Sequence, residues 1–300
     1  MKKQIDLYLS GGGIKCAYQI ALLETLINNK FFNDNYKIRN IHCVSFGCFV
    51  GYAFVNKKLN VLKELFLNFN QNTLKKNFAL WGINLPLIGR IINFVSNIIW
   101  IFYSFMRRGF YSNKIGYDIL NKIEYTQIKN NKLNKLICYA FNMETSKLEQ
   151  IYGNNNKIKD YIIASCSCWG LFEPKIINNM EYIDGGLEQL HPFVNLDDDN
   201  NDKKIIKILL STVDLKTLNN VKINKSNNII EYFIGLINYL IDTKMYKMSL
   251  DWNKPNHIIV NYTPPIETPH TIDNIKIIQM FKDGIALGNN LLLKLKNIEL

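Results

Sequence analysis

The stretch IDLYLSGGGIKCAY, residues 5–18, narrows the choice of fold more than any other part of the chain. Its first five residues alternate loosely and end at a serine and three glycines, as a buried strand running into a tight turn does. From Ile14 the pattern changes. Ala17, Tyr18, Ala21, Leu22 and Leu26 fall on one face of a helix that ends near Asn28 and Asn29. A second strand at IHCV (41–44) precedes a mainly helical run from Phe46 to Phe69. Further strands are expected at 136–141, 204–211 and 257–262, with 175–183 broken into a hairpin. Helices are expected at about 157–167, 227–249 and 272–297, and a polar loop at 195–204. Strands alternating with helices predict an α/β sandwich with a largely parallel sheet. The sequence shows no internal repeat, and 300 residues of which 48% are hydrophobic suffice for one large domain over 1–300.

Three points along this frame carry chemistry. The glycines Gly11, Gly12 and Gly13 lie between a strand and a helix, where free backbone N–H groups can face an anion. A dinucleotide phosphate requires a third glycine where Cys16 stands, and no Gly-Lys-Ser/Thr follows for a nucleotide P-loop. The remaining readings are an oxyanion hole for acyl transfer and a plain strand–helix turn. In CVSFG (43–47), Ser45 sits at a strand-to-helix bend with Gly47 two residues on, as a nucleophile elbow requires. The upstream position is Cys43 rather than glycine, and a helix N-cap serine is the competing reading. In YIDGGL (182–187), Asp184 ends a strand and enters a Gly-Gly turn, where a carboxylate can serve as general base or simply shape the turn.

Taken together, the three points resemble the patatin-like phospholipase family. GGGIKCAY is similar to that family's oxyanion motif, with Lys15 in the basic place. ASCSCWGLFEP (164–174) is similar to the run before its aspartate strand, and GFYSNKIGYDIL (109–120) to the segment after its variable cap. The resemblance covers roughly residues 5–192. It implies a three-layer α/β/α fold and a Ser–Asp dyad that needs no metal and no cofactor. Ser45 would attack an ester carbonyl, Asp184 would take and return its proton, and the N–H groups of Gly11, Gly12 and Gly13 would hold the oxyanion. Lys15 would steady the loop or a lipid phosphate. The substrate class implied is a phospholipid, lysophospholipid or other lipid acyl ester. Four positions depart from the family pattern: Cys16 and Cys43 replace glycines, Trp169 a proline and Leu190 an asparagine. Two rivals stand beside the dyad. One is a Ser–Asp–His esterase using His257 or His270, and the other is a catalytically silent lipid-binding relative.

Charge and the remaining segments bear on partners. Thirty-six Lys+Arg against 25 Asp+Glu leave +11 at pH 7, which favours an anionic membrane surface or only reflects solubilising lysines. No nucleic-acid-binding motif is present. The segment 90–108 holds sixteen uncharged residues between Arg90 and Arg107, too few for a bilayer span but suited to a core helix or a membrane-contacting cap at about 79–108. Six cysteines without a CxxC pair read as reduced buried thiols. The short apolar run near the N-terminus is no signal peptide, so an intracellular protein, peripheral at membranes, is expected. Oligomeric state is left open by the sequence.

Overall fold

The computed structural model describes residues 2–34, 36–68, 108–123, 135–189, 192, 205–213, 256–266 and 273–296. The expected helix at 227–249, the polar loop 195–204, the cap segment 79–107, Leu190 and His270 lie outside the described residues.

Strand β1 (Lys3–Leu9) leads through a 3-10 turn (Gly13–Cys16) into helix α1 (Ala17–Asn28), followed by the short α2 (Phe31–Asp34). Strand β2 (Tyr36–Val44) then enters α3 (Phe46–Val55) and α4 (Leu59–Leu67). The mainly helical run expected from Phe46 is thus two helices, parted where Lys57 takes φ 57°. After β3 (Gly109–Tyr111) and α5 (Lys114–Ile123) come the antiparallel pair β4 (Leu136–Asn142) and β5 (Lys147–Tyr152). Helix α6 (Ile158–Ser165), β6 (Gly170–Phe172), β7 (Lys175–Ile177) and β8 (Met180–Asp184) follow. The β7–β8 hairpin turns at Asn178 and Asn179, both at positive φ, as asparagine tolerates. The described chain closes with β9 (Ile205–Leu210), β10 (His257–Val260) and the long α7 (Asn274–Lys296).

The main sheet runs β10-β9-β1-β2-β4-β8-β7, with β5 also on β4. Strands β10, β9, β1, β2 and β4 are mutually parallel, and β5, β8 and β7 add antiparallel pairs. The α/β fold with a mostly parallel sheet agrees with the sequence reading. From Ile5 to Leu9 every residue of β1 is buried, although successive side chains point to opposite faces. One face carries Ile5, Leu7, Leu9, Cys43, Ile206 and Ile208 and packs against the helices. The other carries Tyr8, Ile137, Tyr139 and Leu209, equally buried. A sheet buried on both faces is the middle layer of a sandwich.

A bulge marks the middle of β2, where Ile5 pairs with Ile38 but Asp6 pairs with Asn40. The extra residue is Arg39, whose guanidinium closes on the buried Asp6 carboxylate, while the Asn40 N–H donates to it at 3.1 Å. The bulge leaves Cys43 opposite Leu9, so β1 and β2 end side by side. Helix α7 lies along α1, with Gly284 against Tyr18 and Ala21 and Gly288 against Leu22 and Thr25, so the two helices run the same way. Phe281 of α7 meets Phe66 of α4, which meets Phe46 directly after Ser45. That aromatic chain braces the helices behind the end of β2.

Candidate active site

Sheet register brings Ser45 and Asp184 together. Within β4, Ile137 pairs with His42 of β2 and Tyr152 of β5, so those two strands occupy opposite edges. Ala140 pairs with Glu149 of β5 and Asp184 of β8, so β8 occupies the same edge as β2. Strands β2 and β8 therefore meet head to head along one edge of β4. Val44 lies opposite Tyr139 and Asp184 opposite Ala140, adjacent positions of one strand. The residue after Val44 must leave the sheet, because Asp184 occupies the next place.

That residue is Ser45, and it turns sharply, at φ 52° and ψ −135°. Such backbone is strained for any residue with a Cβ and costs about 1–3 kcal/mol. Surrounding bonds hold it: the Ser45 N–H donates to Ser165 Oγ at 2.8 Å, and its carbonyl accepts from the Cys48 N–H at 2.9 Å. Gly47 allows the turn, since a Cβ there would lie 2.5 Å from the Leu9 carbonyl oxygen. Cys43, the departure at the other small position, is fully buried and donates from Sγ to the Ile137 carbonyl at 3.3 Å. Its side chain fills space beneath the elbow and leaves the Ser45 hydroxyl clear. Cys48 and Cys138 approach within 3.2 Å in the same layer, and all six cysteines are free thiols, as the sequence suggests.

Ser45 Oγ donates to Asp184 Oδ2 at 2.8 Å. The other carboxylate oxygen accepts from the Gly186 N–H at 2.7 Å, which fixes the carboxylate plane. Burial pushes the Asp184 carboxyl up from 3.8 to about 7, with the Gly186 and Ser45 bonds opposing part of that rise. The ionisable groups whose fields couple to it are the thiols of Cys16, Cys48, Cys138, Cys166 and Cys168. Burial raises Cys16, Cys48, Cys166 and Cys168, so these carry no charge near neutral pH. A carboxylate poised near 7 can accept a hydroxyl proton at working pH, and one near 4 would do so poorly.

The glycine turn flanks this pair. Gly12 takes φ 138° and Gly13 φ 57°. A Cβ on Gly12 would also lie 2.7 Å from Thr212 Oγ1, so both conformation and space require glycine there. Among the described residues, no acceptor takes the N–H of Gly11, Gly12 or Gly13. The far side of the turn is tied down instead. Thr212 Oγ1 donates to the Gly11 carbonyl, the Thr212 N–H donates to Ser10 Oγ at 2.9 Å, and Gln19 Nε2 donates to the Ser10 carbonyl at 3.1 Å. Lys15 is half buried within the 3-10 turn. Cys16, the second departure, is fully buried and donates from Sγ to the Ser10 carbonyl at 3.6 Å. Trp169 is half exposed, whereas Leu190 is outside the described residues.

No described histidine joins the pair. His257 opens β10, three strands from β2, in register with Lys207, Asp6 and Asn40. With ~4.8 Å between strands and ~3.3 Å per residue, it lies about 20 Å from Ser45, on the edge strand of the sheet. His42 bonds Tyr139 Oη through Nδ1 at 2.8 Å and stacks on Tyr8. Among the described residues no cluster of His, Cys, Asp or Glu could hold a metal ion. Sequence reasoning missed Ser165 and Thr212, whose only signal was a small hydroxyl residue next to an apolar strand or helix.

Residues 7–197 match the family described as patatin-like phospholipase, and the chain belongs to that family. Membership supports lipid hydrolase activity in general. Among solved structures, VipD from Legionella pneumophila is similar over 96% of this chain and 67% of its own, at 12% identity and TM-score 0.42. No curated protein matched the chain. Among the described residues no helix is long and apolar enough to cross a membrane.

Proposed function

We propose that the chain is a serine carboxylic-ester hydrolase of the phospholipase A or lysophospholipase type, folded as one domain and working with a Ser–Asp dyad. The observation that carries this reading is the 2.8 Å bond from Ser45 Oγ to the buried Asp184 carboxylate, with no histidine beside it among the described residues. Asp184 takes the hydroxyl proton as Ser45 Oγ attacks the ester carbonyl. The tetrahedral oxyanion is held by the N–H groups of Gly11, Gly12 and Gly13, each well-placed donor contributing about 3–4 kcal/mol. Asp184 then protonates the leaving alcohol; water, giving its proton to Asp184, attacks the acyl-serine, and Asp184 returns that proton to Ser45 Oγ as the acid leaves. Lys15 steadies the loop or a lipid phosphate. The reaction draws on no metal or cofactor.

The substrate is a phospholipid or other lipid ester met at an anionic membrane surface. Ile275, Ile278, Ile285 and Leu293 are all exposed on α7, Ile275 to 81%. At 100° per residue they fall within about 80° of arc, on the same side as Lys282. An exposed apolar stripe with lysine on a chain of net charge +11 suits an anionic lipid bilayer.

Labelling with a fluorophosphonate ester probe tests the chemistry. Wild type should label, Ser45→Ala should not, and Asp184→Asn should label at least about 100-fold more slowly. A well-folded wild type that neither labels nor hydrolyses lipid esters yet binds vesicles would establish the silent lipid-binding relative instead.

A further inference from the structure

Segment 165–167 touches the backbone of both members of the candidate dyad. Ser165 ends α6 and is fully buried. Its hydroxyl donates to the Tyr139 carbonyl of β4 at 2.6 Å, which commits its single proton. The oxygen is thereby left as an acceptor, and it receives the Ser45 N–H at 2.8 Å. Two residues on, the Ser167 carbonyl accepts the Asp184 N–H at 3.0 Å, and Ser167 Oγ donates back to the Ile163 carbonyl at 3.0 Å. Ser45 and Asp184 are thus both suspended from the end of one helix.

The position of Ser165 explains how Ser45 leaves the sheet. A residue continuing β2 would bond directly to β4, and Asp184 already faces Ala140 there. The Ser165 hydroxyl stands between the Ser45 N–H and the Tyr139 carbonyl, one oxygen atom wide, so the N–H stays satisfied while the backbone swings out. Without it a half-buried donor would lose its acceptor at a residue already strained at φ 52°.

We propose that Ser165 is a positioning residue for Ser45, a hydroxyl spacer between the elbow and β4 that sets where the Ser45 oxygen stands relative to Asp184. The proposal rests on the hydrolase reading for its kinetic consequences but not for its geometry, and its test separates the two. Ser165→Ala should lower kcat about 10–100-fold by misplacing the nucleophile, with KM changed by less than about twofold. Because the Ser45 bond is one of the influences that hold Asp184 down, its loosening should move the acidic limb of the rate profile upward from about 7. Ser165→Thr, which keeps the hydroxyl, should return most of the rate and the limb.

Two measurements need no turnover. By NMR, exchange of the Ser45 amide should speed up roughly tenfold in Ser165→Ala, and the Asp184 carboxyl should titrate higher. If Ser165→Ala does not fold, Ser165→Cys, similar in size with a weaker acceptor, takes its place. An unchanged Ser45 amide and Asp184 titration overturn the proposal, whatever the enzyme does. Changed NMR signals in a protein that never labels or hydrolyses would uphold the spacer and sink the hydrolase reading.

Discussion

Ser45 carries the conflict between stability and chemistry most plainly. Its backbone sits at φ 52° and ψ −135°, a region that glycine enters without penalty. Ser45→Gly should therefore raise stability by about 1 kcal/mol in urea melts while abolishing probe labelling. A variant that lost stability would show that the hydroxyl bond to Asp184 outweighs the strain. The sequence marked the residue but not its conformation. Gly47 and the strand–helix switch were legible, because both are local. The acceptor for its N–H comes from Ser165, 120 positions away, and no local pattern announces that. The departures at Cys16 and Cys43 raised the question of whether a thiol can replace a glycine. Each answers it with a fully buried side chain bonded to a strand or turn carbonyl.

Among elements, the strands buried on both faces were the easiest to anticipate and β5 was not. Its sequence, Lys147–Tyr152, is half exposed and mixes charge with apolar residues, so neither a continuous apolar run nor clean alternation marks it. The break between α3 and α4 was hidden for a different reason, since lysine rather than glycine or proline takes the positive φ there. Helix α7 was anticipated almost to the residue, and its two apolar sides differ in fate. Ile277, Met280, Phe281 and Leu291 are buried, whereas Ile275 and Ile278 are open. Replacing both exposed isoleucines by glutamate should weaken sedimentation with anionic vesicles at least about tenfold. Hydrolysis of a short-chain soluble ester should be unaffected. Equal loss in both assays would mean that this face supports the fold rather than a membrane contact.

For the whole molecule, the buried Asp184 sets a pH dependence of stability opposite to that of a carboxylate held down by an ion pair. Its pKa is raised from 3.8 unfolded to about 7 folded, so the folded state binds the proton more tightly. This contribution favours folding below the unfolded value, declines as pH rises through the interval, and levels off above about 7. The full cost of the ionised group is about 4 kcal/mol. Asp184→Asn should remove most of it, so urea melts at pH 8 should favour the variant clearly and melts at pH 4 hardly at all. A stability difference between variant and wild type that is the same at both values would mean that Asp184 ionises with little penalty, which would also undercut its proposed role as a base.

The meeting of β2 and β8 on one edge of β4 separates two design problems. The distance between Ser45 and Asp184 is a step along a single strand, not the span of the 139 positions that separate them in sequence. On the hydrolase reading, residues between Ser45 and β4 can then be lengthened, shortened or exchanged to admit different acyl chains or head groups while the proposed dyad stays in register. Substrate range is free to drift on such a frame while the reaction is conserved.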